Sequence, residues 1–252
     1  MKKFMGVLAI LYIIGNHSAD AAAENLSITA GALSWYNRFV PVSRIQGMDV
    51  PKSSYSVMNG PTMKIQYKDL YVGVTYLISS NDYQLVNTDV PVNVHQSKVS
   101  SSASLDEIDA VVGYVLTPRV SLNAGYKGIS VKDDLSLLSF GVSYHAKRDE
   151  SYYLGSLGTN VNIPVVRKLT WLIDGSALLG TFYNHVAYPV YYRRLNEPDT
   201  KVTAWGLSVN SSLSYAIING LSANIGFNYQ YIKAGSDNSN FIGPTMGLNY
   251  RY

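Results

Sequence analysis

The chain has no cysteine, little charge and no long apolar run after its first residues, and each absence removes a class of protein. Without cysteine there are no disulfides and no lipid-modified cysteine to act as an anchor. Charged residues make up only 15%, with a formal net charge of +3. Loss of Lys2, Lys3 and Asp20 with a leader takes that to +2, too weak a balance to argue for nucleic acid. Later apolar runs such as Ala110-Val111-Val112 and Ile217-Ile218 fall far short of the roughly twenty residues that a membrane helix needs. No His/carboxylate cluster shows metal-ligand spacing and no glycine-rich phosphate loop is present, so neither a metal nor a cofactor is expected.

What is present begins with an export signal. Lys2-Lys3 forms a short basic region, and Phe4 to Ile14 an apolar stretch of about ten residues, half the length of a span. Ala19-Asp20-Ala21-Ala22-Ala23 offers small residues at the spacing signal peptidase cuts. Residues 1–23 are therefore read as a signal peptide, with cleavage after Ala23 or Ala21.

Beyond it, apolar and polar residues alternate. Leu221, Ala223, Ile225, Phe227, Tyr229 and Tyr231 oppose Ser222, Asn224, Gly226, Asn228 and Gln230. After Gly235-Ser236-Asp237-Asn238 the pattern resumes, with Ile242, Pro244, Met246, Leu248, Tyr250 and Tyr252 on one side. A period of two predicts extended strands with one apolar and one polar face. Similar segments recur from Leu26 onward, including Ile108 to Leu116, Val120 to Tyr126 and Trp205 to Ile217. Tyrosine is abundant, 21 against six Phe and three Trp, which suits a chain with a large membrane–water interface.

The links sort by length. Those at 68–70, 117–119, 164–167 and 218–220 are tight, whereas 37–58, 80–103, 131–151 and 182–201 are long loops. Short turns at one end and long loops at the other are the habit of membrane barrels. The segment 134–150 also alternates and is read as an extension of a hairpin, since an odd strand would place the termini on opposite sides. The expectation is all-β: one closed antiparallel transmembrane β-barrel over residues 24–252, of about ten strands, with eight and twelve left open.

Asp109-Ala110-Val111-Val112-Gly113-Tyr114, a proline turn and Leu122-Asn123-Ala124-Gly125-Tyr126-Lys127 resemble the Gly-Tyr hairpins of small Gram-negative outer-membrane β-barrel proteins, the porin-like superfamily. Tyr250-Arg251-Tyr252 resembles their C-terminal aromatic signature, where Phe is the usual last residue. The resemblance implies the bacterial outer membrane as location and insertion by the barrel-assembly machinery, with Tyr250 and Tyr252 as the assembly signal. It implies no activity.

Lys64, Asp109, Lys127, Asp174 and Arg251 fall on polar faces and are the lumen candidates, either as a charged constriction or as a network that fills a narrow barrel. In the 182–201 loop, Tyr188, Tyr191, Tyr192, Arg193 and Arg194 combine rings with guanidinium groups, which suits polyanions, glycans or lipopolysaccharide phosphates. The tandem Tyr152-Tyr153 is read as part of an aromatic girdle. A hydrolase at the rim would need a His oriented by a carboxylate beside an activated Ser or water. His95, His145 and His185 lie near the loop ends, but no spacing ties them to such partners, so no catalytic residue is assigned. The leading functional expectation is a monomer with a structural or surface-interaction role, in contact with outer-membrane lipid and lipopolysaccharide. A narrow passive channel for small solutes is the alternative, and a rim hydrolase acting on lipid or peptide a remote one.

Overall fold

The structure, a computed structural model, describes residues 26–45, 48–51, 54–79, 83–92, 95–139, 142–187 and 200–252. The expected signal peptide lies outside them. Among the described residues twelve strands follow one another: β1 (Leu26–Ile45), β2 (Met48–Pro51), β3 (Ser54–Tyr67), β4 (Leu70–Ser79), β5 (Tyr83–Val92), β6 (His95–Thr117), β7 (Val120–Ser139), β8 (Val142–Val166), β9 (Leu169–Ala187), β10 (Thr200–Ile218), β11 (Leu221–Ala234) and β12 (Asp237–Arg251). Ten of them close a ring in the order β1-β3-β4-β6-β7-β8-β9-β10-β11-β12, and β12 returns to pair antiparallel with β1. The two accessory strands extend the ring upward, β2 on β1 and β5 on β6.

Closure removes every sheet edge from the apolar medium, the condition for a sheet to span lipid. The tight connections gather at one end. Asn219-Gly220 turns with Gly220 at φ +78°, and Lys68 takes φ +54° in the Lys68-Asp69 turn. At the opposite end β11–β12 also turns tightly, through Gly235 at φ +60°.

The stretches 37–58, 80–103 and 131–151, read from sequence as loops, are largely ladder. β7 and β8 stay in register from Val120↔Val161 to Ser139↔Val142, so the 134–150 segment is the raised end of their hairpin. A tilted strand crosses a membrane in about 9–11 residues, whereas β6 has 23 and β8 has 25. This wall therefore stands well clear of the bilayer. Cross-strand hydrogen bonding satisfies its backbone, which is why polar, turn-like composition did not break the strands.

The outward face is an apolar belt. Val72, Val112, Leu157, Leu179, Leu207, Leu213, Ile225 and Met246 are all exposed on it, far more apolar surface than a soluble monomer leaves open. Aromatic pairs mark its upper border: Tyr36 with Tyr55, Tyr153 with Tyr183, and Trp205 with Tyr231, at ring separations of 5.7, 5.6 and 5.9 Å. Tyr67, Tyr114, Tyr215, Tyr250 and Tyr252 mark the lower border. On β10 the two borders, Trp205 and Tyr215, are about ten residues apart, one membrane crossing. Of the tandem tyrosines only Tyr153 belongs to the girdle. Tyr152 turns inward and is buried, as alternation requires of its neighbour.

Candidate functional site

The lumen is layered. At the height of the upper girdle it is filled by apolar side chains, and every barrel strand supplies one. Trp35, Met58, Leu77, Leu105 and Ile129 come from β1, β3, β4, β6 and β7, and Leu154, Leu178, Ala204, Ile232 and Phe241 from β8 to β12. None is more than 3% exposed. Ten strands enclose an interior narrow enough for side chains to fill, and these fill it across the whole ring.

Below this plug lies a polar chamber of about 390 Å³, lined by Lys64, Asp109, Lys127 and Asp174 among others, with Trp35 and Leu77 at its roof. Four of the five lumen candidates thus meet in one space. The Lys127 ammonium is buried between Glu107, at 2.7 Å, and Asp109, at 2.8 Å. Gln230 crosses the lumen to donate to Glu107 at 3.1 Å. Lys64 lies over the Tyr71 ring, 4.1 Å from its centroid. Asn160 sits between the Tyr71 hydroxyl at 2.9 Å and the Asp174 carboxylate at 3.0 Å. Asn160, Asp174, Asn210 and Asn228 are successive cross-strand partners, so one polar ladder climbs four strands. The fifth candidate, Arg251, does not line the chamber: it is exposed at the turn end, where its N–H donates to the Gly220 carbonyl at 2.8 Å, and it shares Thr29 with Lys64 as a cross-strand neighbour.

Glu107 and Gln230 were missed in the sequence. Both share the inward parity of Asp109 and Asn228, so the signal was there, but Glu107 sits in an acidic stretch (Asp106-Glu107-Ile108-Asp109) that reads as hydrophilic on both faces.

Above the plug a second polar layer forms. Arg148 contacts Asp133 at 3.5 Å and Glu150 at 3.3 Å, all three buried. The Tyr152 hydroxyl pairs with Ser239 at 3.0 Å. Burial pushes the Glu150 carboxyl above its ordinary range; Arg148 opposes this, while Asp133 and Asp237 add to it. The cluster caps the plug with paired charges, although the buried Arg148 Nε makes no hydrogen bond.

Tyr188, Tyr191, Tyr192, Arg193 and Arg194 lie outside the described residues. Tyr250 and Tyr252 face outward at the lower border, their rings 4.6 Å apart. The Tyr252 N–H donates to the Ile28 carbonyl at 2.8 Å, so the last residue helps to close the barrel seam. Among the described residues no group of His, Asp and Glu has the makings of a metal site.

No protein-family model matches the chain, and no curated protein matches it. Solved structures do. The crystal structure of the outer membrane protease OmpT from Escherichia coli is similar with a TM-score of 0.60, over 94% of this chain and 99% of that one, at 11% identity. The translocator domain of the autotransporter NalP from Neisseria meningitidis is similar with a TM-score of 0.52, over 99% and 95%, at 8% identity. At these identities the likeness is one of fold. It is the fold of bacterial outer-membrane barrels, and the apolar belt between two aromatic borders is the surface such a fold needs.

Proposed function

We propose that this outer-membrane β-barrel protein is a non-conducting anchor that works through the strands and loops it raises outside the cell. The observation that carries the proposal is the plug: ten apolar side chains, one from each strand of the ring, which would bar water and ions at the level of the upper girdle. An apolar constriction excludes ions because none of its groups replaces their hydration. The raised β5–β8 wall is what such an anchor would present, and the tight turns at the other end offer little surface.

Lipopolysaccharide is the partner whose chemistry fits best. Arg193 and Arg194 supply guanidinium groups for phosphates, and Tyr188, Tyr191 and Tyr192 rings for sugars. The protein is proposed to act as a monomer and to enter the membrane through the barrel-assembly machinery, with Tyr250 and Tyr252 as its signal. The chamber below the plug favours a second reading, a narrow channel for small solutes.

Conductance of the refolded protein in planar bilayers separates the two. A silent bilayer from protein that is folded and heat-modifiable is the expected result. Steady, reproducible openings would replace the anchor with the channel. For the partner, Arg193→Gln with Arg194→Gln should weaken binding to lipopolysaccharide micelles, most clearly at low salt; unchanged binding would remove these residues from the interface.

A further inference from the structure

The outward face of the β8–β9 wall carries polar groups that neither belt nor plug uses. Asp149 of β8 is the direct cross-strand partner of His185 on β9, and Ser151 is the partner of Tyr183. Residues two apart on a strand share a face, so Asp149, Ser151, Tyr183 and His185 stand together on one side of the ladder. Opposed side chains in an antiparallel pair have Cβ atoms about 4.5–5.5 Å apart, and diagonal neighbours lie about 7–8 Å apart. His185 thus stands directly across the ladder from Asp149 and on the diagonal from Ser151, within the span of an imidazole between a carboxylate and a hydroxyl. All three groups line one surface cavity of about 560 Å³, together with Tyr153 and Tyr183. Asp149 and His185 are exposed and Ser151 is half-buried.

The depth of the cavity matters as much as its residues. Tyr153 and Tyr183 form part of the upper girdle, and Ser151 is the next outward position above Tyr153. Girdle tyrosines sit at headgroup level, so the cavity opens where the ester bonds of outer-leaflet lipids lie. Lys201, the partner of Tyr183 on β10, holds its ammonium 5.2 Å from that ring's centroid and brings a positive charge to the same row.

We infer that Ser151, His185 and Asp149 form a hydrolytic site for acyl esters of membrane lipid, with Lys201 drawing the anionic headgroup. Ser151 Oγ adds to the ester carbonyl carbon as His185 takes its proton, and Asp149 holds the imidazole and balances its charge. The tetrahedral adduct collapses, the carbon–oxygen bond to the alcohol breaks, and His185 returns the proton to the leaving oxygen. Water then adds to the acyl-serine with the same proton transfers, releasing the fatty acid and restoring the hydroxyl. The site does not depend on whether the lumen conducts.

The test uses the full mature protein in detergent micelles, with heat-modifiability as the check of folding. A fluorophosphonate probe should label Ser151, as read by peptide mass. Labelling should persist in Ser236→Ala, which alters a distant turn, and vanish in Ser151→Ala. It should fall by at least about a thousand-fold in His185→Ala, a variant that stays folded. Folded protein that does not label, or Ser151→Ala that labels as well as the parent, overturns the site. Fatty-acid release is then measured separately from phosphatidylethanolamine/phosphatidylglycerol vesicles and from lipopolysaccharide. Release from one names the lipid, and release from neither overturns the lipid assignment.

Discussion

Buried ions carry the sharpest consequences in this barrel. Lys127 is enclosed with Glu107 and Asp109, and removing one member of such a set leaves a charge without a partner in a poorly solvated place. Lys127→Met should therefore destabilise the folded barrel by about 3–5 kcal/mol, read as a lower urea midpoint by tryptophan fluorescence. Adding Glu107→Gln and Asp109→Asn should recover most of that loss; a triple variant as weak as the single would show that Lys127 acts through its packing. Glu150 predicts a pH effect with a definite sign. Its carboxyl keeps a proton in the folded state at pH values where the unfolded chain has lost it. Over that window the folded state binds more protons, so stability falls as pH rises from the ordinary glutamate value, about 4.3, to the raised folded one. Comparing urea midpoints of the parent and Glu150→Gln across that range should show a steeper fall with pH in the parent.

At the scale of the strand, phase decides tolerance. Leu213 and Ser212 are adjacent on β10, yet Leu213 is exposed on the belt whereas Ser212 turns toward the lumen. Leu213→Arg should cost about 2–4 kcal/mol and lower the yield of heat-modifiable barrel, and Ser212→Arg should be tolerated far better. Equal damage from both would mean that the strand phase is wrong. Turn chemistry makes a smaller prediction. A Cβ at position 220 would meet φ +78° and lie 2.6 Å from the Arg251 carbonyl oxygen, so Gly220→Ala should cost more than about 1 kcal/mol in the same assay. The alternation that sets this phase was legible in the membrane-crossing segments, such as Trp205 to Ile217 and Leu221 to Tyr231, where one face meets lipid and the other does not. The plug was not. At Tyr152-Tyr153-Leu154 and Ala177-Leu178-Leu179 both strand faces are apolar, and a rule that sends polar residues inward has no answer where the inward layer is itself a core. Strand extension through 131–151 was hidden for the opposite reason, since a wall in water tolerates the composition of a loop. Asp149 and His185 lie 36 positions apart in sequence, so only the β8–β9 register could bring them opposite each other.

Taken whole, the barrel alternates polar and apolar layers along its axis: a polar chamber, an apolar plug, a buried charge cluster and a raised wall. If the plug is the seal, thinning it should join the chamber to the outside without dissolving the barrel. Trp35 and Phe241 are its two largest fully buried side chains, on neighbouring strands β1 and β12. Each change to alanine should cost about 3–5 kcal/mol, a loss that closure of all ten strands can absorb, because no edge is created and the outward belt is untouched. Trp35→Ala with Phe241→Ala should then give brief openings in planar bilayers where the parent is silent. A double variant that folds, remains heat-modifiable and stays silent would move the seal elsewhere. The next layer to thin would be the Lys127, Glu107 and Gln230 network, which crosses the lumen just below.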